Sequence, residues 1–271
     1  MRTRLAVVAA ALLALQSAAY ANRATMDVVA DRTAATPGGK VTLALTFTIE
    51  PGWHLYWINP GETGVPPKVK WRLPPGVTAG PLRFPVPHRI EAGELTAYGY
   101  ENTLTLLTDL TIPADTTGTL TIAGDARWVV CADACVSETQ SIALELPVGP
   151  GAASRPEQFK AWQLQQPDRT AVEPIAATLD AEGRRGALEV PAKPGRTAVE
   201  FFPPVTPFAV YEQPQFRPGQ KVEENGIYRL PFRVLPGAPA EYSAVGLVVW
   251  RDAAGKTIAE ERPFTFKFPS R

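Results

Sequence analysis

The sequence predicts an all-β chain, an antiparallel sandwich followed by a second, smaller β-sandwich-like domain with one short linking helix. Three observations carry that expectation. Apolar and polar residues alternate at period two over much of the chain, the mark of strands with one buried face. Pro-Gly and Gly clusters punctuate these runs at short intervals, as in sandwiches. A single segment shows helix start and stop signals.

Residues 1–21 hold Arg2 and Arg4, an apolar run from Leu5 to Leu15, and Ala19-Tyr20-Ala21. A basic start, a short apolar core and an Ala-x-Ala end are the parts of a cleavable signal peptide, which would leave Asn22 as the new terminus. The run is too short to be read as a bilayer span. No later stretch of eighteen uninterrupted apolar residues occurs, so a soluble periplasmic protein without a span of its own is expected. Disulfides persist in that compartment.

Residues 22–150 form the expected first domain. Val41, Leu43, Leu45, Phe47 and Ile49 alternate with Thr42, Ala44, Thr46 and Thr48. Leu104, Leu106, Leu110 and Ile112 repeat the pattern, as do Leu120, Ile122, Ala126, Trp128 and Val130, then Ile142, Leu144 and Leu146. Pro37-Gly38-Gly39, Pro51-Gly52, Pro74-Pro75-Gly76 and Gly118 supply turns. Between Ile58 and Tyr98 the alternation fades and prolines crowd in, which reads as a long connection. Tyr98-Gly99-Tyr100 reads as a turn.

Residues 151–168 are the expected linker. Ser154-Arg155-Pro156-Glu157 has the spacing of a capping box with proline in the first turn, opening a helix over Gln158–Gln165 that Pro167 stops. Strands resume over residues 169–271: Leu188 and Val190; Val199 and Phe201; Tyr228, Leu230, Phe232 and Val234; Val245, Leu247 and Val249; Phe264, Phe266 and Phe268. Arg251–Lys256 reads as a hairpin turn.

The chain has 27 basic and 27 acidic residues and a pI near 6.8. That balance gives no electrostatic reason for a nucleic acid or an anionic membrane as partner. No Gly-x-Ser-x-Gly elbow, His-Glu-x-x-His pair or glycine-rich phosphate cradle is present, so hydrolase and nucleotide chemistry lack their residues.

Cys131 and Cys135 are the only two cysteines, so their pairing within the chain is forced. Closing so short a loop is worth about 2 kcal/mol in the chain-entropy model, against nearly 5 for a long one. A chain of this size also buries enough surface to fold without a staple. The pair therefore points first to redox exchange, with a small structural bridge and a two-thiolate metal site as alternatives. Metal lacks ligands, since His54, His88 and Met26 are all remote in sequence. No cofactor is expected.

Residues four apart on an extended strand lie about 13 Å from each other, too far for a disulfide. A tight reversal at Ala132-Asp133-Ala134 instead sets Cys131 opposite Cys135. Trp128 and Val130 belong to the buried stripe, so Cys131 is expected on the other face, open to an incoming thiol. Asp133 and Glu138 flank the pair, with Arg127 the one nearby positive charge. That is no recipe for an activated thiolate, and it suits a site that receives an attacking thiolate. His54 reads as core and cross-strand packing, and His88 as a solvated loop residue.

Together these residues resemble the periplasmic amino-terminal module of the DsbD/ScsB-type thiol:disulfide interchange proteins. The resemblance rests on Gly52-Trp53-His54-Leu55-Tyr56-Trp57, Asn59-Pro60-Gly61, Gly64, Pro66, Pro74-Pro75-Gly76, Phe84-Pro85, Tyr98-Gly99-Tyr100, the Trp128–Val136 block and Glu138. Phe201-Phe202-Pro203 and Gln213-Pro214-Gln215 are similar to the stretch that succeeds the module in the ScsB-like branch. The resemblance implies an immunoglobulin-like sandwich and a protein-disulfide reductase component, with Cys131 and Cys135 as its catalytic positions. It implies periplasmic thioredoxin-fold partners, a membrane-embedded electron donor in another chain, and roles in cytochrome c maturation, disulfide correction or copper tolerance. Ser137 departs from the family's usual proline, and this sequence does not continue into the family's membrane helices or thioredoxin-like domain. The rival from another class is a non-enzymatic binding or assembly module with a structural disulfide.

Overall fold

The computed structural model describes residues 22–92, 95–170, 173–180, 182–206, 209–211 and 226–267. The signal segment, Gln213–Gln215 and Phe268 lie outside them. The first part of the chain runs β1 (Ala24–Ala30), β2 (Lys40–Ile49), β3 (His54–Gly61), β4 (Lys68–Arg72), β5 (Thr78–Ala79), β6 (His88–Ala92), β7 (Leu95–Glu101), β8 (Thr103–Thr111), β9 (Thr119–Cys131) and β10 (Cys135–Pro147). These strands make two antiparallel sheets, β1-β2-β8-β5 and β10-β9-β3-β7-β6, with β4 paired to β9. Their facing apolar stripes, including Leu43, Leu45, Phe47, Leu55, Trp57, Leu106, Ile122, Trp128 and Val130, form one core. The result is an immunoglobulin-like sandwich.

The proline-crowded segment is not the long connection its composition suggests. It contains β4, β5 and β6, because its prolines, apart from Pro60 near the end of β3, fall between the strands and on turns. Tyr98-Gly99-Tyr100 likewise lies inside β7, and both tyrosines are buried in the core. Gly99 is needed for a close approach, since a Cβ there would run into the Leu55 carbonyl on β3. His88 opens β6 opposite Gly99, exposed but on a strand and not in a loop.

Helix α1 (Pro156–Leu164) has proline in its first turn, but the capping box does not form. Arg155, not Ser154, occupies the N-cap, with φ 51° and no side-chain bond to the helix. The left-handed residue turns the chain so that Phe159 and Trp162 pack on Ala44 and Leu107, the outer face of the first sheet. That burial replaces the missing cap.

After α1 come β11 (Ala176–Leu179), β12 (Arg185–Pro191), β13 (Arg196–Phe202), β14 (Ala209–Tyr211), β15 (Ile227–Val234), β16 (Glu241–Asp252) and β17 (Thr257–Lys267). They form the sheets β11-β12-β15-β14 and β13-β16-β17 around a second core of Leu188, Phe201, Leu230, Phe232, Val248, Trp250, Phe264 and Phe266. The β16–β17 turn falls at Asp252–Lys256, as the sequence indicates.

Strand β16 departs from simple alternation. Leu247, Val248, Val249 and Trp250 are all buried, while Val245 is exposed. The reason is a second cover: Leu247 and Val249 join the first sandwich's core, and Val248 and Trp250 the second. A register shift between Ala198 and Glu200 on β13 lets the same sheet serve both sides. It keeps Phe201 with Ala198 in the second core and turns Phe202 toward the first. There Phe202 meets Trp57 and Tyr98 edge-on, at 5.7 and 5.2 Å between ring centroids. Asn59 Nδ2 donates to the Pro203 carbonyl at 2.7 Å.

Glu200 shares this contact, facing Arg89 from β6, and burial pushes its pKa from 4.5 to about 7. The protonated acid is favoured in the fold, so its contribution is full below pH 4.5 and is lost as pH rises through 7. The whole shift corresponds to about 3 kcal/mol, reduced by partial exposure. Glu200→Gln is therefore expected to raise stability at pH 8 by about 1–2 kcal/mol and to change it little at pH 4, read from urea midpoints at the two pH values. Phe202→Ala removes a ring from the shared core and is expected to cost about 3–5 kcal/mol by the same measurement.

Candidate functional site

Strands β9 and β10 pair antiparallel from Thr119↔Pro147 to Cys131↔Cys135, and the hairpin reverses through Ala132, Asp133 and Ala134. The Ala132 N–H donates to the Ala134 carbonyl at 3.0 Å and closes the loop. The Cα atoms of Cys131 and Cys135 stand 4.1 Å apart and their sulfurs are bonded. The forced pairing and the tight reversal are both present.

The two sulfurs' residues differ sharply in exposure. Cys131 is on the face opposite Trp128 and Val130, as the alternation requires, but that face is covered and only 1% of the residue is exposed. The expectation that Cys131 stands open is thus corrected. It packs in a cluster with Tyr56 and Ala97, flanked by Ile90 and Val129. Cys135 and the three loop residues are exposed, and Val136 beside them is 39% exposed.

Strand β3 supplies the cover. His54 is the cross-strand partner of Cys131, the two residues lying directly opposite each other. It is 5% exposed, and its Nε2 lies 3.2 Å from the Tyr56 hydroxyl, the rings meeting edge-on. Desolvation lowers the His54 pKa, opposed by the charge of Glu101. Burial raises the Tyr56 pKa, opposed by a hydrogen bond with the Thr63 side chain. Thr63 belongs to the turn after β3, and Gly64 beside it sits against the Tyr56 ring with φ 97°, where any Cβ would overlap that ring.

Glu138 does not flank the disulfide. Its register partner is Trp128, so it points to the sandwich interior. There it accepts hydrogen bonds from the Arg23 and Ala24 N–H groups at 2.6 and 3.1 Å and from Trp128 Nε1 at 2.8 Å. This carboxylate ties β10 to β1 and holds the hairpin's base. Met26 lies in the core and not near the sulfurs. No group of three or more His, Cys, Asp or Glu side chains that could hold a metal ion occurs among the described residues.

His54 is buried in cross-strand packing, as its aromatic-rich segment indicates, but spacing alone did not place it and Tyr56 on the face of Cys131. The signal was available in their alternation: on β3, Leu55 and Trp57 point to the core, so His54 and Tyr56 must share the other face, with Cys131.

Residues 25–147 match the family model described as the N-terminal part of the thiol:disulfide interchange protein DsbD. Among solved structures, the chain is similar to the N-terminal periplasmic domain of ScsB from Proteus mirabilis. The two share 16% identity with a TM-score of 0.64, over 92% of this chain and 95% of that one. The major pilin subunit BcpA of Bacillus cereus overlaps at 9% identity, TM-score 0.27, over 91% of this chain and 67% of its own. A DUF4466 family protein from Parabacteroides merdae overlaps at 9% identity, TM-score 0.27, over 91% and 99%. Scores that low carry no argument. Among curated proteins none matches the sequence.

The first sandwich is therefore the part of the chain that matches a thiol:disulfide interchange family. More closely, residues 25–147 are an N-terminal domain of the DsbD/ScsB type, and the ScsB fold extends over the second sandwich as well.

The packing of Gly64 against Tyr56 makes the cover testable. Gly64→Ala forces the turn or the ring to move, so the disulfide is expected to react several-fold faster with dithiothreitol, with the sandwich's circular dichroism unchanged. An unchanged rate shows that this turn does not limit access to the disulfide.

Proposed function

We propose that the chain is a periplasmic thiol–disulfide exchange protein that passes reducing equivalents through Cys131 and Cys135 to or from thioredoxin-fold partners. In the reductive direction, the electrons come from a membrane-embedded donor carried by another chain. What supports this is the asymmetry of the bond: Cys135 is exposed at a hairpin tip beside Val136, while Cys131 lies beneath β3 side chains. A disulfide meant only as a staple has no need of one exposed cysteine at the tip of an exposed loop.

That exposure supports one order of events. An incoming thiolate attacks Cys135 Sγ, and the electron pair of the Sγ–Sγ bond goes to Cys131. A mixed disulfide now joins partner and Cys135. The partner's second thiolate attacks its own sulfur in that bond, Cys135 leaves as thiolate, and the partner departs oxidised while this chain holds two reduced cysteines. The reverse sequence reduces a partner's disulfide. Asp133 in the loop gives no cationic field for an activated thiolate, so the attacking group must arrive activated on the partner.

Trapping tests the order. Cys131→Ser leaves Cys135 and is expected to capture thioredoxin-fold proteins as mixed disulfides in the periplasm, identified by mass, whereas Cys135→Ser captures few. The wild-type pair is expected to have a reduction potential well above roughly −300 mV, in the range of catalytic exchangers. A potential far below that, with neither variant capturing a partner, would establish the rival reading of a binding module with a structural bridge.

A further inference from the structure

We propose that His54 is the charge-compensating residue of this disulfide, taking up one proton as the Sγ–Sγ bond opens and giving it back as the bond closes. This rests on the exchange reading above and assigns to it a residue outside the cysteine pair.

Position carries the inference. His54 is the antiparallel partner of Cys131, and side chains so opposed share a face with Cβ atoms about 4.5–5.5 Å apart. Both residues are almost wholly buried. Opening the bond therefore creates an anionic sulfur where water does not reach, a strongly unfavourable event unless a neighbour answers the charge. The hydrogen-bonding groups beside it are His54 and Tyr56, joined to each other at 3.2 Å.

Of the two, only His54 can change its charge in the needed direction. Tyr56 can donate a hydrogen bond, and burial holds its proton in place. His54 is kept neutral in the oxidised protein by burial, so the closed site carries no stray cation. The charged and titratable groups facing it are Glu101, its partner on β7, Cys131 on β9 and Tyr56 on its own strand. Glu101 already favours the imidazolium, and a thiolate at Cys131 adds a second negative charge on the opposite side.

The step balances. The partner's thiolate forms the bond to Cys135 Sγ, the broken bond's electron pair stays on Cys131 Sγ, and one solvent proton enters to be held by His54 against that sulfur. Cys135, later released at the surface, exchanges its proton with water.

The test uses His54→Gln and His54→Phe in the full chain. In the Cys135→Ser background, the Cys131 thiol is titrated by its thiolate absorbance. In the two-cysteine protein, the reduction rate by dithiothreitol is monitored from pH 5 to 9. Both replacements are expected to raise the Cys131 pKa by about one unit or more, a tenfold loss of thiolate at neutral pH. Both are also expected to slow reduction about tenfold at pH 7. Gln keeps a polar, hydrogen-bonding group, so a pKa raised by Phe but restored by Gln, or unchanged in both, overturns the proposal. If the Phe variant does not fold, the Gln variant decides alone. Because the reductant is a small thiol, these readouts stand apart from partner capture. Failed capture with a shifted thiol pKa sinks the partner reading only, and normal capture with an unshifted pKa sinks only the role of His54.

Discussion

The register between β9 and β10 is the constraint on which the site depends. Thirteen cross-strand pairs run from the sandwich core to the tip, and the last of them is Cys131 with Cys135. Side chains alternate along a strand, so a slip of one residue would carry Trp128 and Val130 out of the core and the cysteines into it. Glu138 fixes the register chemically, because its carboxylate holds the Trp128 indole opposite it and the backbone N–H groups of Arg23 and Ala24, at the start of β1, at once. Removing those acceptors would leave three donors unmet, two of them buried, which natural folds avoid. A short loop and a deep core thus divide the labour, the core setting the pairing and the loop presenting one sulfur.

The same alternation places the chemistry of the cover. On β3 the core takes Leu55 and Trp57, which leaves His54 and Tyr56 for the outer face where Cys131 arrives from β9. The site is therefore asymmetric: one cysteine is reachable, and the other is enclosed with an imidazole and a phenol. Enclosure favours the bonded form, since a thiolate generated there lacks water. Exposure of Cys135 gives the bond a point of attack.

The second sandwich is more than an appendage. Its middle sheet has apolar side chains on both faces, one for each core, and the irregular pairing around Val199 is what makes that possible. Phe202 and the Asn59–Pro203 hydrogen bond clamp the far end of β3, the strand whose near end carries His54. The loop bearing Thr63 and Gly64 begins just after that clamp. A rearrangement at this clamp would thus reach the cover over the disulfide along β3.

The sequence by itself determined the β architecture, the forced cysteine pairing, the reversal at Ala132-Asp133-Ala134 and the buried stripes of β2, β8, β9 and β10. These are local matters of period, turn residues and count, which a chain displays without its neighbours. It misled wherever a partner surface overrode the local signal. Prolines hid β4, β5 and β6 because they sit between strands, Ser154 lost the cap to a left-handed Arg155, and Tyr98-Gly99-Tyr100 became a strand because Gly99 admits β3 at close range. Only the tertiary structure decided that Cys131 is covered, that His54 and Tyr56 do the covering, and that β16 is buried on both faces. Burial depends on what arrives from elsewhere in the chain, and no spacing within a strand records that arrival.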